Sequence, residues 1–300
     1  MSRGDRKDAI YLDDVDRQDF LKTLAEACQK TGWQVHAYCL MRNHFHLVVE
    51  TPNGNLVAGM KWLLSSYTIR LNHRHALFGH VFSGRYKALH VEGSGNGYLK
   101  TVCDYVHLNP VRAKLLKRED RLVAYPWSSL IWYMAAGEHR PKWIRVDRLL
   151  GEHGIQKDNA EGRAEFERQM EVRRGQGSDG KEWKSVQRGW CLGGEEFRAK
   201  LLERMGPQLG EHHSGRLHAE SAQAKADRIV GETLKRLKWS ESELKARAKG
   251  DEAKVELAYR LRRETTLTIR QIAERLSMGS WKSLNNKLYL FGKERNVNGK

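Results

Sequence analysis

Long apolar runs are missing from this chain. Nowhere do the roughly 18 consecutive apolar residues that span a bilayer occur, and the Met1 end has no apolar stretch of the signal-peptide kind. Neither membrane insertion nor secretion is expected. Cysteine is scarce: Cys28, Cys39, Cys103 and Cys191 are scattered, and no two of them form a C-x-x-C pair. That spacing argues against a zinc ribbon or a disulfide framework and fits a reducing cytoplasm. Acidic residues are outnumbered, with 37 Asp and Glu against 53 Lys and Arg, a formal net charge of +16. Such an excess favours polyanionic partners, because each neutralised phosphate releases condensed counterions. A basic surface can also be merely solvated, so charge alone does not decide. No internal repeat is found.

What is present is an ordinary globular balance, 40% hydrophobic and 30% charged, in 300 residues. The chain reads as a domain over residues 1–150, a polar linker with a short docked segment over 151–224, and a helical domain over 225–300. After Asp13 and Asp14, Phe20, Leu21, Leu24 and Cys28 recur at helical spacing, and Gly32 supplies a left-handed stop. Trp33, Val35, Ala37, Cys39 and Met41 alternate as in a strand, and a second strand runs from His44 to Glu50 after the turn-forming Asn43. Leu56, Met60, Leu63, Tyr67 and Leu71 stripe a second helix. Tyr86 to Val91 reads as a third strand, and a third helix starts near Asn96 and must end by Asn109, before Pro110. This order predicts an α+β fold, an antiparallel sheet backed by helices, similar to a ferredoxin-like fold.

Between these ends the sequence is polar and broken. Residues 173–180 and 210–215 read as flexible linkers, and residues 190–197 as a turn and a short docked helix. The adjacent His212 and His213 read either as metal ligands or as a solvated loop pair. From Arg228 onward the pattern is helical and basic, with 17 Lys and Arg against 9 Asp and Glu over residues 231–300. Ser240 caps one short helix, and Thr268 caps another carrying Ile269, Ile272, Ala273 and Leu276. A turn through Gly279 leads into a last helix with Trp281, Leu284 and Leu288, so the pair reads as a helix-turn-helix.

His44-Phe45-His46 is the sharpest chemical feature. On a strand, residues i and i+2 share a face, so the two imidazoles project together while Phe45, Leu47 and Val49 project the other way. That spacing suits one metal ion but supplies only part of a coordination sphere. In the third helix Tyr98, Val102, Tyr105 and Asn109 form one stripe. The amide oxygen of Asn109 can complete a His-His-Asn site for a divalent cation, and Tyr105, one turn away, can attack a metal-polarised phosphate. The same residues also read as two strand histidines, a core tyrosine and a helix-terminal asparagine, each common singly. Among rival tyrosines, Tyr67 continues an apolar stripe and Tyr86 has no ligand beside it. Tyr98 lies about 16 Å from Asn109 along the helix axis, against about 6 Å for Tyr105.

Met41-Arg42-Asn43-His44-Phe45-His46-Leu47, together with residues 104–113 (DYVHLNPVRA), resembles the single-tyrosine HUH transposases, particularly the REP-associated tyrosine transposases. Residues 82–88 (FSGRYKA) and 125–129 (YPWSS) are also similar to family segments, and the likeness covers about residues 2–134. By that resemblance His44, His46 and Asn109 carry over as metal ligands for Mg²⁺ or Mn²⁺, and Tyr105 as the nucleophile. The family cuts single-stranded DNA beside palindromic hairpins and rejoins it through a 5′-phosphotyrosine. The resemblance also implies a first, central strand ahead of residues 2–6; this chain begins there, so that strand is expected to be missing.

Three readings follow. The first is a metal-dependent DNA strand transferase, monomeric or a homodimer, cytoplasmic and nucleoid-associated when DNA-bound. The others are a decayed or repurposed DNA-binding protein, and a metal-dependent hydrolase in which Tyr105 is structural. Lys61, Arg70, Arg74, Arg85 and Lys87 are the expected single-strand contacts near the catalytic sheet. Lys282, Asn285, Asn286 and Lys287 on the last helix are the expected duplex contacts, where Asn can read adenine edges, or else a solvated helix face.

Overall fold

The first helix, α1 (Asp14–Thr31), begins where Asp13 Oδ1 accepts the Asp16 amide at 3.0 Å. It ends where Gly32, at φ +76°, returns its amide to the Cys28 carbonyl, a left-handed stop that a side chain would strain. The computed structural model describes residues 1–175, 183, 186, 190–205 and 213–297. The chain divides into two compact units: residues 1–24, 33–50 and 64–211, and residues 25–32, 51–63 and 212–300. Among the described residues no helix is long and apolar enough to cross a membrane.

The first unit is built on an antiparallel sheet ordered β1-β3-β2, with β1 (Ser2–Arg3), β2 (Gln34–Met41) and β3 (His44–Glu50). The central strand expected to be missing is therefore present in a two-residue form. Ser2 and Arg3 pair with Phe45 and His44 on one side. On the other, Met1 exchanges two backbone hydrogen bonds with Lys87, and Arg3 and Asp5 bond to Ser83 and Val81. The third strand is correspondingly shorter than the expected Tyr86–Val91. Gly84, at φ +60°, interrupts regular pairing, and only β4 (His90–Val91) is a strand, parallel to β5 (Cys191–Leu192).

Cross-strand register decides which side chains share a face. Cys39 stands opposite His46 and Met41 opposite His44, so both histidines lie on the face of Ala37, Cys39 and Met41. The other face carries Phe45, packed with Phe20 at 4.8 Å between ring centroids and with Phe82 at 6.1 Å. Tyr67, in α2 (Leu56–His75), meets the same cluster and donates its hydroxyl to the Ile10 carbonyl. Both faces are covered, which is why seven of the eight β2 residues are buried instead of every second one.

The histidine face is covered by α3 (Tyr98–His107), followed by a separate turn, α4 (Asn109–Arg112), with Pro110 in its first turn, where its missing N–H costs nothing. Residues 127–129 line the outer edge of β2: the Leu40 amide donates to Trp127 and the Ser129 amide to Tyr38. Ser129 Oγ also bonds His107 Nε2 at 2.8 Å, tying α3 to that edge. α5 (Leu130–Met134) follows.

Part of the stretch read as a polar linker is instead helical and docked. After α6 (Asp147–Glu152), α7 (Ala160–Gly175) buries Phe166 and Met170 in the core that holds α3, and Phe166 stacks on Tyr133 at 4.9 Å. The fully buried Asp104 pairs with His153 at 3.0 Å and Arg173 at 2.8 Å, so the chain beyond residue 150 neutralises a charge inside α3. The docked segment near residue 190 is β5 followed by α8 (Glu195–Met205). Residues 176–180 and 210–212, including His212, lie outside the described residues, as does the side chain of His213.

The second unit includes an all-α C-terminal region. Its helices are α9 (His213–Leu237), α10 (Glu241–Ala246), α11 (Glu252–Glu264), α12 (Ile269–Arg275) and α13 (Trp281–Val297). Ser240 and Thr268 each form a capping box, with Glu243 and Gln271 respectively. Leu257, Leu261, Ile272, Ala273, Leu276, Leu284 and Leu288 share one core. The turn between α12 and α13 uses positive φ at Ser277 and Gly279, the latter at +80°.

Candidate active site

The residue that orients the first histidine is Asn43. Its amide nitrogen donates to the Lys7 carbonyl at 3.0 Å, which turns its oxygen toward His44 Nδ1, 2.8 Å away. Nδ1 therefore carries the hydrogen, and the Nε2 lone pair is left free to bind. His46 follows on the same face, with the two imidazole centroids 5.0 Å apart. Burial pulls His44 down to about 4, helped by the charge of Arg3 and the N-terminal amine. Burial, then the neighbouring His44, pulls His46 down to about 3. Both rings are neutral at pH 7, the form a metal ligand requires.

Helix α3 lies over these rings because Val102, Cys103 and Val106 fill the core above Cys39 and Met41. It brings Tyr105 to 5.6 Å from His46, ring to ring. Among the described residues nothing hydrogen-bonds the Tyr105 hydroxyl. Of the rival tyrosines, Tyr67 is committed to the Ile10 carbonyl and pushed up by burial, and Tyr86 is raised by burial. Asn109, buried at the start of α4, donates its amide nitrogen to the Tyr105 carbonyl at 2.9 Å, which leaves Oδ1 as an oxygen donor. Two neutral imidazoles and an amide oxygen fit a divalent cation such as Mg²⁺ or Mn²⁺.

A second cluster does not fit one. Ligand atoms of Asp13, Asp16 and His75 lie within 4.8 Å of one another. The Arg74 guanidinium already bonds both carboxylates, at 2.7 Å and 2.5 Å, and its hydrogen bond holds Asp13 down at about 2. The cluster is a charge network joining α1 to α2, with its anions neutralised.

The expected DNA contacts separate accordingly. Arg74 is spent on Asp13 and Asp16, and Arg70 bonds Thr23 at 2.7 Å and pairs with Asp19 at 3.6 Å. Neither presents a free guanidinium, because acidic residues one turn apart on α1 face them. Lys61, Arg85 and Lys87 are exposed. On α13, Lys282, Asn285 and Asn286 are exposed and Lys287 is half-buried, while Leu284 and Leu288 face the core.

Sequence reading missed three neighbours of this site. Asn43 read only as a turn residue, and its role depends on Lys7, 36 positions away. Arg112 sits over the Tyr105 ring, its guanidinium carbon 4.3 Å from the centroid. Trp183, 4% exposed, packs on the same ring at 5.4 Å, and no periodic signal in its surroundings pointed to it.

Residues 4–109 match the family described as "Transposase IS200 like", and His44, His46, Tyr105 and Asn109 all fall inside that span. No curated protein and no solved structure matches the chain. The strand carrying both histidines and the helix carrying the tyrosine thus lie in residues 4–109, the part of the chain that is similar to the IS200-like transposases.

Proposed function

We propose that this chain cleaves and rejoins single-stranded DNA beside palindromic hairpins, with Tyr105 as the nucleophile and His44, His46 and Asn109 as ligands of Mg²⁺ or Mn²⁺. The observation that carries this reading is the Tyr105 hydroxyl, unbonded among the described residues, on a ring 5.6 Å from a neutral, half-buried His46. A bound divalent cation supplies charge neutralisation at a non-bridging phosphate oxygen. Tyr105 Oη attacks phosphorus, the P–O3′ bond breaks, and the phenol proton ends on the leaving 3′-oxygen. The product is a 5′-phosphotyrosine and a free 3′-OH, so the bond energy is kept for religation. Packing against His46 and the Asn109 hydrogen bond to its backbone hold Tyr105 in place before DNA arrives, which favours an in-line approach. Exposed Lys61, Arg85 and Lys87 remain available for backbone phosphates, and the exposed face of α13 for duplex DNA.

The test is covalent trapping on a library of single-stranded oligonucleotides with a palindromic stem and randomised flanks, incubated with Mn²⁺ and denatured. Wild type is expected to give a protein–DNA adduct mapped to Tyr105. Tyr105→Phe keeps the ring and its packing, and should retain hairpin binding while yielding neither adduct nor cleavage. An adduct on another tyrosine, or cleavage by wild type without any adduct, overturns the assignment.

A further inference from the structure

Arg112 closes α4, three residues after Asn109, and its guanidinium lies over Tyr105. Other arginines of the first unit are paired: Arg74 with Asp13 and Asp16, Arg145 with Glu50 and Asp147, Arg173 with Asp104. Arg112 is not. Among the described residues it pairs with no carboxylate, and its Nη1 is buried without any hydrogen-bond partner. Stacking on Tyr105 and, at 6.0 Å, on Trp183 satisfies the faces of the guanidinium but not the Nη1 donor. A buried, unpaired cationic donor is costly, so a site that keeps one calls for an anion to complete it. The anion must arrive beside Tyr105, whose ring the guanidinium covers, and so beside His46, 5.6 Å from that ring.

We propose that Arg112 is a catalytic phosphate-binding residue, whose unpartnered Nη1 donates to a non-bridging oxygen of the scissile phosphate as Tyr105 attacks. This rests on the strand-transfer reading above. The guanidinium keeps its proton throughout; the bond formed is Tyr105 Oη–P, the bond broken is P–O3′, and the phenol proton ends on the 3′-oxygen. Arg112 neutralises charge that grows on the equatorial oxygens and leaves the nucleophile and leaving group to others. The planar fork suits two adjacent phosphate oxygens, which a lysine ammonium matches less well. Arg112 lies just beyond the span matched by the family, and nothing in its helical spacing distinguishes it from a solvated arginine.

The experiment compares two substrates of one sequence, the hairpin selected by wild type from the library. One has the natural scissile phosphodiester and the other a methylphosphonate there, as separated diastereomers. Arg112→Ala should lower adduct formation on the phosphodiester by about 100-fold, the scale of losing one preorganised donor at a developing oxyanion. On a methylphosphonate, which has no charge to neutralise, the variant should match wild type within a few-fold. Hairpin affinity and thermal melting should stay close to wild type. If Arg112→Ala fails to fold, Arg112→Lys serves, with a smaller loss again confined to the phosphodiester. Equal fractional losses on both substrates, or no cleavage of either methylphosphonate by the variant, overturn the proposal and leave Tyr105 as nucleophile. Absence of any adduct from wild type overturns the strand-transfer reading itself, and this proposal with it.

Discussion

In the first unit burial pulls His44 to about 4 and His46 to about 3, whereas in the second it pulls Lys30 only to about 8. The same desolvation acts on all three. Because histidine begins near 6.5, the shift leaves neutral lone pairs at pH 7, ready for a cation. Because lysine begins near 10.4, the shift leaves a charge, and the protein must satisfy it. It does so with the Arg262 and Thr265 carbonyls at the end of α11 and with the ring face of Trp62, 5.0 Å away. Burial of a base makes a ligand in one unit and a structural tie in the other, and the starting pKa decides which.

The largest way to break this comparison is to delete a ligand. His46→Ala should weaken Mn²⁺ binding by about 100-fold or more, since losing even a partner behind a ligand costs 10–100-fold. Duplex binding should not change. Calorimetric titration of Mn²⁺ into wild type and variant checks this, with a DNA-binding assay alongside. Equal Mn²⁺ affinity in the two proteins would move the metal elsewhere.

A smaller effect, on duplex binding instead of metal binding, is expected from the second unit. Asn285 and Asn286 are exposed one turn before Tyr289 on a helix whose Leu284 and Leu288 are buried. Replacing either asparagine by Ala should cost duplex affinity about 10-fold and relax preference at one base pair, the scale of one bidentate adenine contact. Hairpin cleavage should stay as in wild type. Substitution is preferable to deletion of residues 225–300, because Lys30 and the carbonyls it satisfies belong to the same unit and truncation would strip them. Unchanged duplex binding in both variants would make α13 a solvated face.

What was legible in the sequence was local. The His44-x-His46 spacing, the α3 stripe through Val102 and Tyr105, and the caps Ser240 and Thr268 all follow from period 2 or 3.6 within a dozen residues, whereas Asn109 falls past the end of α3, in the separate turn α4. What was not legible depends on distant partners. Asn43 acquires its role from Lys7, and Tyr105 acquires its cover from Arg112 and Trp183. Helix α7 buries two residues four apart, Phe166 and Met170, on an otherwise charged surface, too sparse a stripe to separate from a linker. Two-residue β1 is shorter than any alternation can mark, yet its backbone groups bond β3 on one side and the stretch over residues 81–87 on the other. Arg70 and Arg74 looked available because their acidic partners lie on another helix.

The smallest expected effect sharpens the comparison at Lys30 itself. Its folded pKa, about 8, lies below the unfolded value near 10.4, so the unfolded chain binds more protons between the two. Unfolding free energy must therefore rise with pH across that window, as the cost of a buried charge is relieved, and stay flat below it. Lys30→Met removes the titrating group, so the difference between wild type and variant isolates its contribution. Between pH 8 and pH 9 wild type should gain about 1 kcal/mol relative to Lys30→Met, somewhat less than the full 1.36 kcal/mol per pH unit because titration is only partial at the lower end. Urea denaturation of both proteins at pH 7, 8 and 9 measures it. A difference that is constant across the three would mean that the carbonyls and Trp62 hold the ammonium as well as water does, and that the contrast with the histidines is one of partners instead of starting pKa.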